Sequence, residues 1–262
     1  MPMKKDAVTT ETALVSRPRA LIIGASSGIG AALARKLARE GYRLALLARR
    51  EELLQDLCTE INDEVGEGRA VTYPHDVKDF DQAEGLFKTI LRDMGHLDVV
   101  AYVAGVMPAV DLWEFAFDKD REMVAVNLLG AMVWLGLAAR LLTELGGGHI
   151  VGVSSIAGER GRVKNPGYHA SKAGLSVYLE SLRNRLSRKG VHVLTVKPGF
   201  VNTTMLQAEG RTFWVVSPEK VAEDISKALR TRKQVIYTPA RWCLVAWVVR
   251  NLPSFIFRRL SF

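Results

Sequence analysis

Ala20-Leu21-Ile22-Ile23-Gly24-Ala25-Ser26-Ser27-Gly28-Ile29-Gly30 is the stretch that decides the fold. A short apolar run passes straight into a glycine-rich turn, and an amphipathic segment, residues 31–39, follows and ends before Gly41. In a strand–turn–helix unit of this kind the glycines let the backbone approach a pyrophosphate, and the helix N-terminus offers N–H groups to it. The order therefore favours a dinucleotide-binding turn over a simple tight turn.

Short apolar runs and amphipathic segments alternate along the rest of the chain. Further strands are predicted at residues 42–48, 69–74, 97–103, 149–153, 191–196 and 234–237. Helices are predicted at 51–64, 79–94, 119–145, 166–189 and 217–230. This alternation predicts an α/β protein with a Rossmann-type, doubly wound sheet of seven mostly parallel strands. We divide the chain into a lead-in (1–18), a single domain (19–240) and an apolar C-terminal tail (241–262).

The composition is that of a globular protein with a sizeable core. Of the 262 residues, 48% are hydrophobic and 24% are charged, which excludes disorder for most of the chain. The net charge of +8 favours anionic ligands or an anionic membrane surface, and we expect no nucleic acid partner. Cys58 and Cys243 lie far apart and the histidines show no ligand spacing, so we predict no metal site and a reducing, cytoplasmic compartment. The polar N-terminus lacks the apolar run of a secretory signal, and we expect a mostly disordered lead-in.

Arginines follow the second predicted strand, where a dinucleotide fold meets the adenosine ribose. A carboxylate there accepts a bond from the ribose 2′-OH, whereas arginine binds a 2′-phosphate. Arg49 and Arg50 occupy this place and no acid precedes Glu51, which favours NADP(H) over NAD(H). The alternative is that both arginines are solvated charges at a helix start. Asp76, followed by Val77, comes after the third strand, where its carboxylate would accept from the adenine amine or cap the next helix.

Tyr168 and Lys172 are four residues apart, so on a helix both project from one face. Asn165 and Pro166 indicate the helix start, with the asparagine side chain as the cap and proline in the first position. Near the positive end of the helix dipole and beside an ammonium, the pKa of the phenol would fall below its usual value of about 10. Such a phenol can exchange a proton with an alcohol or ketone oxygen. Taken alone, the spacing is more typical of an exposed surface pair.

Two more polar positions stand out upstream of this pair. Ser154-Ser155 follows the predicted strand 149–153, and ligands of doubly wound sheets bind outside the carboxyl ends of strands. Asn127 lies among apolar neighbours in the predicted helix 119–145, either as a satisfied core amide or as a functional one.

Together these features resemble the motifs of the short-chain dehydrogenase/reductase family, over nearly the whole chain. They are Gly24-x-x-x-Gly28-x-Gly30, Asn127, Ser155 thirteen residues before Tyr168, Tyr168-x-x-x-Lys172 and Pro198-Gly199-x-Val201-x-Thr203. The resemblance implies that Tyr168 is the general acid, Lys172 holds the nicotinamide ribose and Ser155 binds the substrate oxygen. Asn127 would position a water between Lys172 and a proton relay. The implied reaction interconverts a ketone and a secondary alcohol, with hydride transfer by the cofactor.

The cofactor site follows from the glycine-rich turn, the strand ends and the resemblance. It comprises Gly24, Ser26, Ser27, Gly28, Ile29, Gly30, Arg49, Arg50, Asp76, Val77, Ala104, Gly105, Asn127, Tyr168, Lys172, Pro198, Gly199, Val201 and Thr203. In one departure, Tyr102-Val103-Ala104-Gly105 stands where the family usually has Asn-Asn-Ala-Gly, so the sheet-bracing role of two asparagines must be met otherwise. A homodimer or homotetramer is also implied, since relatives usually pair through the helices that carry Asn127 and Tyr168.

The tail is apolar and aromatic, and arginines punctuate it without any acid. Arg250 and Pro253 interrupt it, and a bilayer span takes about 20 apolar residues, so it is not predicted to cross a membrane. An interfacial segment on the inner face of the membrane fits its composition; the alternatives are packing on its own domain or on a sister subunit. Residues 205–216, which include Phe213-Trp214, suit a mobile lid over an apolar substrate.

A narrower resemblance concerns residues 154–174 and the tail. These segments are similar to the bacterial decaprenylphosphoryl-2-keto-erythro-pentose reductases, which implies a hydrophobic or lipid-linked ketone. Arg160, Arg162 and Lys164 would then meet a phosphate at the mouth of the site, or else form a solvated basic loop. The competing hypothesis is a non-catalytic NADP(H)-binding sensor or membrane-associated scaffold, which would need only the cofactor loop.

Overall fold

Seven strands form one sheet at the centre of the molecule. The computed structural model describes residues 17–206 and 212–259. The strands are β1 (Arg19–Ile23), β2 (Arg43–Ala48), β3 (Ala70–Pro74), β4 (Val99–Tyr102), β5 (Gly148–Val153), β6 (Val191–Pro198) and β7 (Val235–Thr238). Their order is β3-β2-β1-β4-β5-β6-β7, and every neighbouring pair is parallel. The predicted doubly wound, Rossmann-type α/β fold with seven strands is confirmed.

Helices cover both faces of the sheet. Those that connect the strands are α1 (Gly28–Arg39), α2 (Glu51–Val65), α3 (Phe80–Met94), α4 (Phe117–Val124), α5 (Ala131–Glu144), α6 (Pro166–Leu186) and α7 (Pro218–Arg230). Successive strand residues point to opposite faces, so Ile22 packs with α1, α2 and α7 while Ile23 packs with α3, α5 and α6. Because helices cover both faces, the central strands β1, β2 and β4 are apolar runs, apart from the arginine that begins β1 and β2, and show no polar alternation.

The strand order reverses between β1 and β4. The chain lays β2 and β3 on one side of β1 and then returns to place β4 on its other side. In doubly wound sheets the crevice at such a reversal, outside the carboxyl ends of the strands, is where ligands bind. The fold therefore sets the glycine-rich turn after β1 beside the loop after β4.

The predicted helix 119–145 is continuous but not uniform. The helices α4 and α5 are joined by a π-helical segment, Ala125–Gly130, into one run, Phe117–Glu144. Among the described helices this run alone has the length and apolar composition to cross a bilayer. Trp134 and Leu135 on it are fully buried, which is the behaviour of a core helix of a globular domain.

Tyr102, which stands where asparagine is usual in the family that the sequence resembles, is fully buried at the end of β4. Its hydroxyl donates a hydrogen bond of 2.5 Å to the carbonyl of Val126 and so ties the end of β4 to the π-helical segment. Gly130 leaves room for this hydroxyl, since a Cβ at that position would lie 2.5 Å from it. Complete burial raises the pKa of the Tyr102 phenol, so the group remains a donor.

The tail folds into two helices, α8 (Trp242–Asn251) and α9 (Ser254–Phe257). Trp242 and Ala246 are buried against the domain, so one face of the tail packs on its own chain, as one of the alternatives expected. Apart from Arg17 and Pro18, the predicted lead-in (1–18) lies outside the described residues, as do residues 260–262 of the tail.

Two histidines pair across the sheet, near the ends of β5 and β6 where these strands begin. His149 and His192 are register partners, and their Nδ1 atoms lie 3.0 Å apart. The His192 Nε2 donates to the carbonyl of Lys233, so in the neutral ring its Nδ1 accepts and the His149 Nδ1 donates. Burial, with the neighbouring imidazole, lowers the pKa of His149 to about 4, and burial also lowers the pKa of His192.

We expect the free energy of unfolding to fall on acidification because of this pair. Both folded-state pKa values lie below the unfolded value of about 6.5, so as the pH falls the unfolded chain takes up protons before the folded chain does. The stability that is present above about pH 6.5 is therefore lost progressively toward about pH 4. With solvent screening allowed for, the loss is on the order of 1–2 kcal/mol. His149→Phe should flatten this dependence in urea unfolding series between about pH 7 and about pH 5. An unchanged pH dependence in that variant would contradict the assignment.

Candidate active site

A cleft of about 420 Å³ opens at the carboxyl edge of the sheet, at the reversal between β1 and β4. All of the predicted cofactor residues except Asn127 line it, together with Ser155. They are Gly24, Ser26, Ser27, Gly28, Ile29, Gly30, Arg49, Arg50, Asp76, Val77, Ala104, Gly105, Tyr168, Lys172, Pro198, Gly199, Val201 and Thr203. Residues at or after the ends of six strands, β1 to β6, thus meet at one place, as parallel strands allow.

The glycine-rich turn is packed too closely for side chains. Gly24 has a φ of +93°, and a Cβ there would overlap the backbone of Ala104, while a Cβ on Gly30 would overlap the carbonyl of Gly24. The N–H of Gly24 donates to the carbonyl of Leu47, which fixes the turn to β2. The first turn of α1 carries no acidic side chain and Ser27 does not cap it, so this helix N-terminus suits an anion.

Both arginines after β2 lie at the rim of the cleft. The Arg50 guanidinium donates to the Oγ atoms of Ser26 (3.0 Å) and Ser27 (2.5 Å) in the glycine-rich turn, so it is not simply a solvated helix-start charge. Arg49 Nη1 lies 3.5 Å from Asp76 Oδ2. Asp76 does not cap the next helix, because α3 begins at Phe80; its carboxylate instead accepts from the N–H of Lys78 at 3.0 Å.

Asn127 is fully buried in the π-helical segment and all its hydrogen bonds are internal. Its Oδ1 accepts from the N–H of Val106 (2.7 Å), and its Nδ2 donates to the Val106 carbonyl (3.0 Å) and to Ser171 Oγ (3.1 Å). The amide is thus satisfied within the core and holds the backbone next to Gly105, and its predicted role in positioning a water stays a prediction. A Cβ on Gly105 would lie 3.3 Å from both the Asn127 Oδ1 and the Lys172 Nζ, so the three groups converge.

Ser155 begins a short 3₁₀ turn, Ile156–Glu159, directly after β5. Its Oγ accepts from the N–H of Ala157 at 3.0 Å, which leaves the hydroxyl hydrogen for another acceptor. The neighbouring Ser154 Oγ donates to the carbonyl of Lys172 at 2.8 Å. The 3₁₀ turn packs against the backbone of Lys172 at Gly158. A side chain would not fit there, since a Cβ would lie 2.8 Å from the Lys172 carbonyl carbon.

Tyr168 and Lys172 are not an exposed pair. Both lie on the buried side of α6, and Lys172 is only 3% exposed. The Lys172 Nζ donates to the Val153 carbonyl (2.9 Å) and lies 5.8 Å from the centre of the Tyr168 ring. Complete burial lowers the pKa of Lys172 to about 8, so at neutral pH the ammonium form still predominates.

The predicted cap of α6 is wrong. Asn165 has a left-handed backbone, with φ at 52°, and its side chain makes no capping bond to the helix. Asparagine tolerates this conformation better than most residues, and Pro166 takes the first helical position as expected. The asparagine therefore shapes the entry into the helix through its backbone.

Arg160 has neither of the two predicted roles. It turns away from the mouth of the site and donates to the carbonyls of Val249 (2.8 Å) and Leu252 (2.5 Å) in the tail. Its guanidinium carbon also lies 4.1 Å from the centre of the Phe257 ring. Of the other two basic residues, Arg162 lines the cleft and Lys164 is exposed.

Trp242, which the sequence did not single out, completes one end of the cleft. Its ring packs with those of Phe200 (5.7 Å between centres), Phe213 (5.1 Å) and Trp214 (5.4 Å). Within the predicted lid, 205–216, residues 207–211 lie outside the described part. Val216 is held by a bridge to Val201.

The chain is similar to known oxidoreductases over most of its length. The short chain dehydrogenase family matches residues 18–213. An uncharacterized oxidoreductase of Mycobacterium tuberculosis is 32% identical over 254 residues, which are 94% of this chain and 98% of the relative. The ketoacyl reductase HetN of Nostoc sp. is 30% identical over 217 residues, which are 81% of this chain and 75% of the relative. A crystal structure of an actinorhodin polyketide ketoreductase variant with NADPH has a TM-score of 0.77 at 28% identity, over 84% of this chain and 95% of that chain.

Proposed function

The chain belongs to the short-chain dehydrogenase family, and we propose that it is an NADP(H)-dependent enzyme that interconverts a ketone and a secondary alcohol. The observation that carries this proposal is the meeting of Ser155, Tyr168 and Lys172 in the cleft that also contains the glycine-rich turn. A protein that only bound the cofactor would not need Ser155 beside Tyr168 and Lys172.

The residues present fit NADP(H). Gly24 and Gly30 leave no room for a Cβ, as a turn that receives a pyrophosphate requires, and the N-terminus of α1 is free of acidic side chains. Arg49 and Arg50 would hold the 2′-phosphate. The ketoreductase of similar fold was crystallised with NADPH. When bound, NADPH supplies the hydride that reduces the carbonyl carbon.

The protein itself supplies the proton and binds the carbonyl oxygen of the substrate. Tyr168 donates its phenolic proton to the oxygen of the ketone, and Ser155, whose lone pair is taken by the Ala157 N–H, donates a hydrogen bond to the same oxygen. The buried ammonium of Lys172 favours the tyrosinate that remains. Asn127 fixes the loop at Gly105 between these groups.

Tyr168→Phe should reduce turnover at least about 10³-fold because it removes the proton donor, while the dissociation constant for NADPH stays within about twofold. Steady-state NADPH oxidation and NADPH fluorescence titration measure the two quantities. Tyr178→Phe is the matched control, since its hydroxyl lies on the same helix but bonds the carbonyl of Met132. Turnover that survives Tyr168→Phe would rule out the catalytic assignment. Absence of wild-type turnover with saturating NADPH and a broad ketone panel would favour the sensor or scaffold.

Arg49→Ala and Arg50→Ala should each weaken NADPH binding by roughly 10–100-fold, the loss of one charge-assisted contact to a phosphate. Binding of NADH, which lacks the 2′-phosphate, should change by less than about threefold. Calorimetric titration with both nucleotides makes the comparison, and Arg92→Ala, an exposed arginine on α3 paired with Asp93, controls for net charge. An equal loss for NADPH and NADH would show that the arginines do not read the 2′-phosphate.

A hydrophobic or lipid-linked ketone is the proposed substrate class. Phe200 and Trp242 give one end of the cleft two aromatic side chains, and Phe213 and Trp214 pack against Trp242, which suits an apolar chain better than a carboxylate. The narrower resemblance to decaprenylphosphoryl-2-keto-erythro-pentose reductases stays a prediction, as do the predicted homodimer or homotetramer and the cytoplasmic location.

Peripheral contact with a membrane is proposed for the outer face of the tail, defined as Leu244, Trp247, Val248, Phe255 and Ile256. Three of these are more than half exposed: Leu244 (72%), Trp247 (66%) and Phe255 (60%). Residues 241–259 contain arginines and no acid. An apolar, aromatic face flanked by arginines suits an anionic bilayer surface, and the inner face of the cytoplasmic membrane is such a surface.

The double substitution Leu244→Ser, Trp247→Ser should lower co-sedimentation with phosphatidylglycerol vesicles at least about tenfold, since each buried side chain is worth about 1.5–3 kcal/mol. Leu145→Ser, which changes an exposed leucine at the end of α5, is the control and should bind as the native chain does. Equal binding by all three proteins would leave the tail without a membrane role.

A further inference from the structure

Glu159 joins the catalytic loop to two strands. It ends the 3₁₀ turn that begins after Ser155, and its side chain is only 3% exposed. The carboxylate accepts from Lys197 Nζ at 2.7 Å and from the Tyr237 hydroxyl at 2.9 Å. Lys197 immediately precedes Pro198 at the end of β6. Breaking so buried an ion pair would leave one charge without a partner inside the protein, which is costly. The pair therefore holds this junction together.

Arg160, the next residue, holds the tail. The last carbonyls of any helix lack hydrogen-bond donors within the helix. At the end of α8 the Arg160 guanidinium is such a donor, because it bonds the carbonyls of Val249 and Leu252. Its Nη2 also donates to Ser254 Oγ at 3.2 Å, at the start of α9. From the tail, Arg250 Nη1 lies 3.5 Å from the Glu159 carboxylate. We call the two consecutive residues the Glu159–Arg160 clamp.

Trp242 is the part of the tail that reaches the cleft. It is 4% exposed and stands at the first position of α8. Gly199, which also lines the cleft, has no room for a Cβ because the Trp242 indole occupies the space. The indole N–H is buried without a hydrogen-bond partner among the described residues, so ring packing sets its position. That packing lasts only as long as α8 stays in place.

We infer that the tail is a wall of the substrate site, with Trp242 as the side chain that determines which ketones bind well and the Glu159–Arg160 clamp as the device that positions it. This rests on the proposed reductase function. Trp242 and Phe200 bind the apolar part of a long ketone at the end of the cleft next to Gly199. A short ketone, which reaches only Ser155 and Tyr168, does not touch them. Arg160 contacts neither substrate nor cofactor and acts through the position of α8.

The test compares 2-undecanone with 2-butanone in NADPH-dependent reduction by the full-length chain. Trp242→Leu and Arg160→Met should each lower the ratio of kcat/KM for 2-undecanone to that for 2-butanone at least tenfold, through a raised KM for the longer ketone. For Arg160→Met, the kcat for 2-butanone and the dissociation constant of NADPH should stay within twofold. Trp242→Phe should keep the ratio within threefold, and Arg160→Lys, which can still reach one carbonyl, should recover part of it. Arg92→Met is the control for loss of one arginine.

A double-mutant cycle separates positioning from general damage. If Arg160 acts through Trp242, the double variant Arg160→Met, Trp242→Leu has the ratio of the Trp242→Leu single variant. Additive losses, an equal rise of KM for both ketones, or an unchanged ratio would each overturn the proposal.

Two further measurements keep this result distinct from the fate of the reductase proposal. Arg160→Met should speed amide hydrogen exchange in α8 and α9 and leave α6 protected, whereas Arg92→Met should change neither. Saturable quenching of tryptophan fluorescence by 2-undecanone, in the presence of NADP⁺, should be lost in Trp242→Leu. Should wild-type protein reduce neither ketone, the reductase function fails, and these two results alone decide the tail's role. Unchanged exchange in α8, or quenching that survives Trp242→Leu, then overturns it.

Discussion

Lys172 carries a positive charge into the interior of the molecule, and the structure around it is arranged to hold that charge in place. Its ammonium donates to the carbonyl of Val153 at the end of β5, and no carboxylate among the described residues pairs with it. Burying a charge in this way costs free energy, as the lowered pKa of about 8 reflects. The cost is tolerable only where packing fixes the group. Ser154 and Gly158 do so by binding and abutting the Lys172 backbone, so the site depends on the junction of β5 and α6.

A second junction, between β4 and the π-helical segment, supports the first. The chain after a parallel strand must find partners for its backbone groups without a further ladder. Here the Asn127 side chain bonds both the N–H and the carbonyl of Val106, and the Tyr102 hydroxyl donates to the Val126 carbonyl. Gly130 supplies the space that the Tyr102 hydroxyl needs.

Much of this arrangement was predictable from local patterns. The continuous apolar run at Ile22-Ile23, entering a turn at Gly24, predicts a buried strand that leads into a glycine-rich turn, whereas its place at the strand reversal comes from the structure. The spacing of Tyr168 and Lys172 places both side chains on one helix face. By contrast, the bonds of Arg160 join residues 89 to 94 positions apart, and no local pattern encodes such a contact. The left-handed backbone of Asn165 and the π-helical segment escaped prediction because residue preferences describe regular helices and caps, and both depart from these.

The tail has a buried face and an exposed apolar face on opposite sides of one ten-residue helix. Trp242 and Ala246, one helical turn apart, face the domain, while Leu244 and Trp247 face outward. A helix this short is marginal on its own, so the order of α8 comes from its contacts, above all those of Arg160. Whatever loosens those bonds also takes the Trp242 ring away from Gly199. Under the two proposals made for the tail, substrate selection and membrane contact depend on the same small element, whereas Tyr168 and Lys172 lie on α6.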